Sequence, residues 1–148
     1  MWFSVKPEQR IIEWRKWRNS LAGLPAKEAL LLVAKEWARV PQVMHYLSPD
    51  LPNYWPTAWQ LIHNNVYCDL GIALGIFYSI ALLEHPELDS LELQVYKDTN
   101  GWSNLLSVAA GKYVLNYDTG VVVNSQRISK TSELIFVYSK VDLYAKFN

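Results

Sequence analysis

The only cysteine of the chain, Cys68, stands just before an uncharged and almost wholly apolar run, residues 70–83. This run is too short to span a bilayer, so it predicts a helix that is buried on all sides. The dipole of a helix favours a thiolate in the first turn, where nucleophilic cysteines are often found. Cys68 is therefore a candidate nucleophile, provided that a base lies beside it.

The chain has three histidines, of which His45 and His63 are the candidate bases. His45 and His63 precede Cys68, whereas His85 belongs to the turn after the apolar run. His63 is the better of the first two, since only a short break at residues 64–65 separates it from the cysteine. Structural histidines are commoner than catalytic ones, and the spacing of these residues fits no metal motif. We expect neither a metal nor a cofactor.

The composition describes one globular domain, residues 1–148, with a formal net charge of zero and 51% hydrophobic residues. These values exclude a disordered chain and a general binder of polyanions. Seven Trp and nine Tyr are many for this length, and they concentrate in residues 1–17 and 54–59. Aromatic side chains that exceed the needs of a core favour contact surfaces with other proteins.

Residues 1–40 are predicted to form a helical extension, with helices over residues 7–19 and 26–39. The first helix is locally basic and aromatic, which suggests a docking arm for a partner. The candidate contact residues are Trp2, Trp14, Trp17, Arg10, Arg15 and Arg18. An amphipathic helix whose Arg stems lie over the core explains the same pattern. Nucleic acid is not an expected partner, because a neutral protein gains little from counterion release.

The remaining elements follow from turn signals and periodicity. A short helix after Pro56 precedes the buried helix that begins with Cys68. The second half of the chain alternates as strands do. The predicted strands cover residues 91–96, 102–108, 112–117, 121–124 and 133–138. This order predicts an α+β domain in which N-terminal helices and the Cys68 helix pack on a C-terminal antiparallel sheet.

Several of these segments resemble the bacterial transglutaminase-like cysteine peptidases, a branch of the papain-like fold. The family's aspartate-tyrosine-tryptophan-alanine-threonine-proline stretch is matched by Asn-Tyr-Trp-Pro-Thr-Ala at residues 53–58. Its cysteine motif resembles residues 66–70, and its histidine and aspartate strands resemble residues 102–108 and 113–117. The likeness covers about residues 40–140 and implies a transglutaminase-like core at residues 41–148.

The resemblance assigns three catalytic positions in this chain. The nucleophile falls on Cys68, the base position on Asn104 and the orienting position on Asn116. An asparagine cannot accept a proton from a thiol, so the resemblance implies a degenerate triad. Without an imidazolium partner, we expect the thiol to be mostly protonated at neutral pH.

The sequence therefore predicts a non-catalytic domain that acts as a structural, assembly or protein-interaction module. A multi-subunit particle such as a phage virion is one setting for such a module. The expected partners are proteins, and we do not expect the chain to bind a membrane. We also expect no signal peptide or transmembrane segment, which indicates the cytoplasm or a virion. The alternative function is an active cysteine hydrolase or acyltransferase that uses Cys68 with His63 or His45 as a rearranged base.

Overall fold

The computed structural model describes all of residues 1–148. The helices are α1 (Pro7–Leu21), α2 (Ala26–Trp37), α3 (Ala58–Asn64), α4 (Asp69–Leu83) and α5 (Tyr144–Phe147). The strands are β1 (Glu92–Asp98), β2 (Gly101–Val108), β3 (Tyr113–Leu115), β4 (Val122–Val123) and β5 (Glu133–Ser139). The predicted α+β class, with helices packed on an antiparallel sheet, is confirmed.

Helix α4 lies at the centre of the molecule. All its residues from Leu70 to Ala81 are buried, as expected for an uncharged run without a polar face. The preceding helix α3 begins with a capping box, because Thr57 Oγ1 accepts from the Gln60 amide and Gln60 Oε1 accepts from the Thr57 amide. It ends at Asn65, which has a left-handed conformation with φ of 56°. The break predicted between the two helices is therefore confirmed.

The five strands form one sheet with the order β4-β3-β2-β1-β5. Strands β1 and β2 form a hairpin whose two turn residues are Thr99 and Asn100. Gly101, which has a positive φ of 121°, is the first residue of β2. Strand β5 pairs antiparallel with β1 and forms one edge of the sheet. Leu93 and Val95 of β1 are fully buried, and both β1 and β2 contact α4. The helix thus covers one face of the sheet.

The N-terminal residues share the hydrophobic core with the rest of the chain. The indoles of Trp14 and Trp37 both donate to the hydroxyl of Ser79 in α4, at 3.3 and 3.0 Å. Trp2 donates to the hydroxyl of Tyr67 at 3.4 Å. Gly75 of α4 allows this packing, because the ring of Trp37 occupies the space that a Cβ atom would need. The expected arm is therefore an integral layer of the fold.

None of the helices combines the length and the apolar character that are needed to cross a membrane.

Candidate functional site

Cys68 is the N-cap residue of α4, and it is fully buried. Its thiol makes no hydrogen bond in the structure. The Sγ atom lies 3.8 Å from the position that a Cβ atom on Gly71 would take, and the hydroxyl of Tyr46 lies 3.9 Å from the same point. The Tyr46 side chain therefore lies beside the thiol, where its own hydroxyl donates to the carbonyl of Val66 at 2.8 Å.

An extended segment that begins at Gln42 lies next to the start of α4. Gln42 forms a parallel bridge with Tyr67, and the amide of Val43 donates to the Tyr67 carbonyl at 2.8 Å. Tyr67 is fully buried, and this burial raises the pKa of its phenol to about 12. Burial, and secondarily the neighbouring Cys68, also raises the pKa of Tyr46. These contacts hold Tyr46 and Tyr67, both of which precede the cysteine in sequence, next to the start of α4.

Asn104 and Asn116, the residues that the resemblance predicts at the base and orienting positions, lie close together near the start of α4. Asn104 is buried on β2, and its side-chain amide donates to Asp69 Oδ2 at 2.8 Å. Asn116, which follows β3 with a positive φ of 67°, donates from its side-chain amide to the backbone carbonyl of Asn104 at 2.8 Å. The partner of Asn104 is therefore the residue that follows Cys68, and neither asparagine bonds to the thiol.

The three histidines are either exposed or hydrogen-bonded to groups other than the thiol. The side chains of His45 and His63 are exposed and make no hydrogen bond. His85 Nδ1 accepts from the amide of Glu87 at 3.1 Å, and its Nε2 lies 3.0 Å from the Leu24 carbonyl. His85 also follows the far end of α4, which is about 22 Å long for its fifteen residues. None of the three imidazoles hydrogen-bonds to Cys68.

The aromatic contact residues predicted on the N-terminal segment are mostly inside the chain. Trp2 and Trp14 are buried, and Trp17 is half-buried with its ring centroid 4.9 Å from that of Trp2. Trp2 and Trp14 are therefore unavailable for docking, because their indoles pack and donate within the core. Part of Trp17 remains accessible.

Of the basic residues predicted to contact a partner, two are bound within the chain and one is exposed. Arg10 donates to the carbonyls of Val5 and His63 at 3.2 and 2.6 Å. Arg18 is buried with its guanidinium 4.3 Å above the ring of Trp14, and its Nε atom has no partner. Burial, and secondarily Arg15, lowers the pKa of Arg18 to about 10. Of the three arginines only Arg15 is exposed, so a contact role stays a prediction for Arg15 and Trp17.

An open cleft, which was not predicted from the sequence, lies between α3 and the segment that precedes it. This cleft has a volume of about 1130 Å³. Its exposed apolar side chains are those of Tyr46, Leu51, Tyr54 and Val66. The aromatic excess at residues 54–59 was the one indication of a contact surface in this region.

No group of three or more His, Cys, Asp or Glu side chains is placed to hold a metal ion. Asp69 supplies a carboxylate beside Cys68, but that carboxylate already accepts a hydrogen bond from Asn104.

Comparison with known proteins supports the fold. No protein-family model matches the sequence, and no curated protein matches it significantly. Three solved structures of Legionella pneumophila LapG match with a TM-score of 0.73 each. The calcium-bound structure is 13% identical and is matched over 91% of this chain and 77% of its own. The other two, one of them EGTA-treated, are 15% identical, with about 90% of this chain covered and 75% and 74% of theirs. The chain thus has the transglutaminase-like fold of LapG.

Proposed function

We propose that this chain is a non-catalytic, degenerate transglutaminase-like domain that acts as a protein-interaction or assembly module. One observation carries the proposal. The side chain at the base position, Asn104, is bonded to Asp69, while the thiol of Cys68 is buried without a hydrogen-bonding partner.

The chemistry of thiol catalysis explains why this arrangement favours an inactive site. A general base must lie within hydrogen-bond reach of the proton that it removes, at about 2.6–3.2 Å or through one water. An asparagine side chain has a carbonyl and an amide, and neither accepts a proton near neutral pH. Asn104 and Asn116 instead connect β2, β3 and the first turn of α4. Asn104 and Asn116, which the resemblance aligns with two catalytic positions of the cysteine peptidases, therefore serve here as structural contacts.

The surface supports the interaction part of the proposal. Single exposed apolar residues are normal on a soluble protein, but a group of them around one cleft indicates a binding surface. Tyr46, Leu51, Tyr54 and Val66 form such a group. A multi-subunit particle such as a phage virion stays a prediction about the setting, made from the type of protein alone.

Alkylation of Cys68 tests the non-catalytic part. Iodoacetamide is added to the native chain and to the chain in urea at pH 6, 7, 8 and 9, and the labelled mass is followed with time. A buried thiol without a base should react at least a hundredfold more slowly in the native chain than in urea. Labelling of the native chain at pH 6–7 that equals or exceeds that in urea would overturn the proposal, since only an activated thiolate behaves in this way.

The same experiment separates the competing function. In a working hydrolase or acyltransferase with a rearranged base, His63→Gln or His45→Gln should slow the labelling of the native chain. In the non-catalytic module both variants should label at the rate of the unmodified chain, because both imidazoles are exposed and unbonded.

A further inference from the structure

The open cleft beside α3 has a mostly apolar and aromatic surface with one charge. Thirteen residues line it, and Lys146 is the only charged one among them. Tyr54 is 80% exposed, Tyr46 48%, Leu51 47% and Val66 41%. Side chains of this size that remain in water around one concave surface favour burial by a partner.

The backbone at one wall of the cleft is also unpaired. Residues 44–48 belong to no helix, strand or turn, and residues 46–48 line the cleft. None of their backbone N–H groups donates a hydrogen bond within the chain, and the carbonyls of residues 44–47 accept none. The pairing with the rest of the protein ends at Val43, whose amide donates to Tyr67. A segment whose backbone donors and acceptors are free can pair with a further strand.

The charge in the cleft has a fixed position. Lys146 Nζ donates to the carbonyl of Trp55 at 2.8 Å and to that of Asn53 at 3.4 Å. An ammonium group has three donors, so one remains free. Lys146 forms no ion pair, since the salt bridges of the chain involve other residues. An occupant with a carboxylate would therefore complement the cleft.

We propose that this cleft binds an extended peptide segment of a partner protein, with apolar side chains and an acidic residue. The peptide backbone pairs with residues 44–48 as an added strand, because only a polypeptide supplies alternating donors and acceptors at the spacing of an extended chain. Apolar side chains of the peptide cover Leu51, Tyr54 and Val66, and its carboxylate meets Lys146. The proposal rests on the proposed function and gives it a site and a class of partner.

A peptide selection tests this directly. Random twelve-residue peptides are displayed on yeast and selected on the full chain, and an enriched peptide is then labelled with fluorescein and titrated by fluorescence anisotropy. The enriched sequences should share apolar residues at alternate positions and an Asp or Glu. Tyr54→Ser should weaken binding at least tenfold, whereas Tyr144→Ser, at an exposed tyrosine outside the cleft, should leave it unchanged.

Charge reversal and N-methylation test the two specific contacts. Lys146→Glu should weaken binding at least tenfold, and replacing the acidic residue of the peptide by Lys should restore it. Lys130→Glu, at an exposed lysine outside the cleft, is the matched control. N-methylation of alternate peptide nitrogens removes hydrogen-bond donors without removing side chains. When the methylated nitrogens are those that face residues 44–48, binding should be abolished.

The proposal is overturned if no sequence is enriched, if the enriched peptides lack an acidic residue, or if they bind equally well to the Tyr54→Ser chain. If Lys146→Glu disturbs the fold, the Tyr54→Ser variant alone tests the site. The Tyr54 side chain makes no hydrogen bond in the chain, so its replacement should leave the fold intact. If a bound peptide is cleaved or acylates Cys68, the non-catalytic function fails while the peptide site stands. If no peptide binds and Cys68 stays unreactive, only the peptide site fails.

Discussion

The side-chain amide of Asn104 lies 2.8 Å from the carboxylate of Asp69, so the residue predicted at the base position contacts the neighbour of the cysteine rather than the cysteine itself. The donor is in the sheet and the acceptor is in the first turn of α4. A hydrogen bond to a charged group stabilises a protein by about 1.5–3 kcal/mol, and it connects here the two layers that must meet at the site.

The first prediction is that Asp69 and Asn104 are energetically coupled. Asn104→Ala and Asp69→Ala should each lower the free energy of unfolding by about 1–3 kcal/mol, and the double variant should lose less than the sum. Urea unfolding of the four chains measures the coupling. Asn19→Ala, at an exposed position of α1, should change the stability by less than about 0.5 kcal/mol. Additive losses would show that the contact contributes nothing to stability.

The second prediction concerns the two glycines of α4, which are one helical turn apart. A Cβ atom on Gly75 would overlap the indole of Trp37, so Gly75→Ala should cost about 1–3 kcal/mol through overpacking. A Cβ atom on Gly71 would have neighbours at 3.8–3.9 Å, which is ordinary contact. Gly71→Ala should therefore gain up to about 1 kcal/mol from helix propensity. Thermal unfolding of both variants measures the difference, and equal effects would contradict the packing described here.

The third prediction is a loss of stability at alkaline pH. Burial raises the pKa of Tyr67 to about 12 and also raises the pKa of Tyr78. Tyrosines of the unfolded chain titrate near pH ~10, so the unfolded state loses its protons first as the pH rises. The stability is thus fully present below pH ~10 and falls as the pH approaches the folded-state pKa values. Urea unfolding between pH 8 and 11.5 should show this decrease.

Tyr78→Phe provides the test of its cause. The variant lacks the phenol that donates to the Pro56 carbonyl at 2.7 Å, so it should be less stable at pH 8. Its stability should also fall less steeply with pH than that of the unmodified chain. If the two slopes are the same, Tyr78 does not contribute to the alkaline loss.

Much of the fold could be predicted because its signals are local. The apolar run at residues 70–83 predicts α4. The Asn-Gly pair at residues 100–101 is a turn signal that predicts the β1–β2 hairpin, and the turn itself lies one residue earlier, at residues 99–100. The short helix α5 has no such signal. Its Phe147 packs against Phe77 with ring centroids 6.2 Å apart, and this contact depends on the folded chain rather than on neighbouring residues.

The candidate site could be predicted only in part, because its contacts join residues that are far apart in the sequence. The resemblance placed Asn104 and Asn116 near the start of α4, but the bond from Asn104 to Asp69 joins residues that are far apart in sequence. The basic pattern of α1 did not indicate that Trp14 is buried. The indole of Trp14 donates to the hydroxyl of Ser79, a residue that is far away in the sequence. The position of Tyr46 beside Cys68 likewise has no counterpart in local sequence.

The last prediction separates two reasons for an unreactive thiol, which are burial and the lack of a base. The Tyr46 hydroxyl and Cys68 Sγ lie within 4 Å of one point above Gly71, so we expect the tyrosine side chain to restrict access to the sulfur. Tyr46→Ala should raise the rate of iodoacetamide labelling at pH 8 at least tenfold. Tyr54→Ala, at a tyrosine of the same cleft, should leave the rate unchanged.

The pH profile of the Tyr46→Ala chain then reports on the base. If only burial has been relieved, its labelling rate should rise with pH as that of the chain in urea does, because no imidazole is placed to stabilise the thiolate. A rate that is already high at pH 6 would instead show that Tyr46 covers an activated cysteine. That result would contradict the proposed non-catalytic function, since a neighbouring group would then have to stabilise the thiolate.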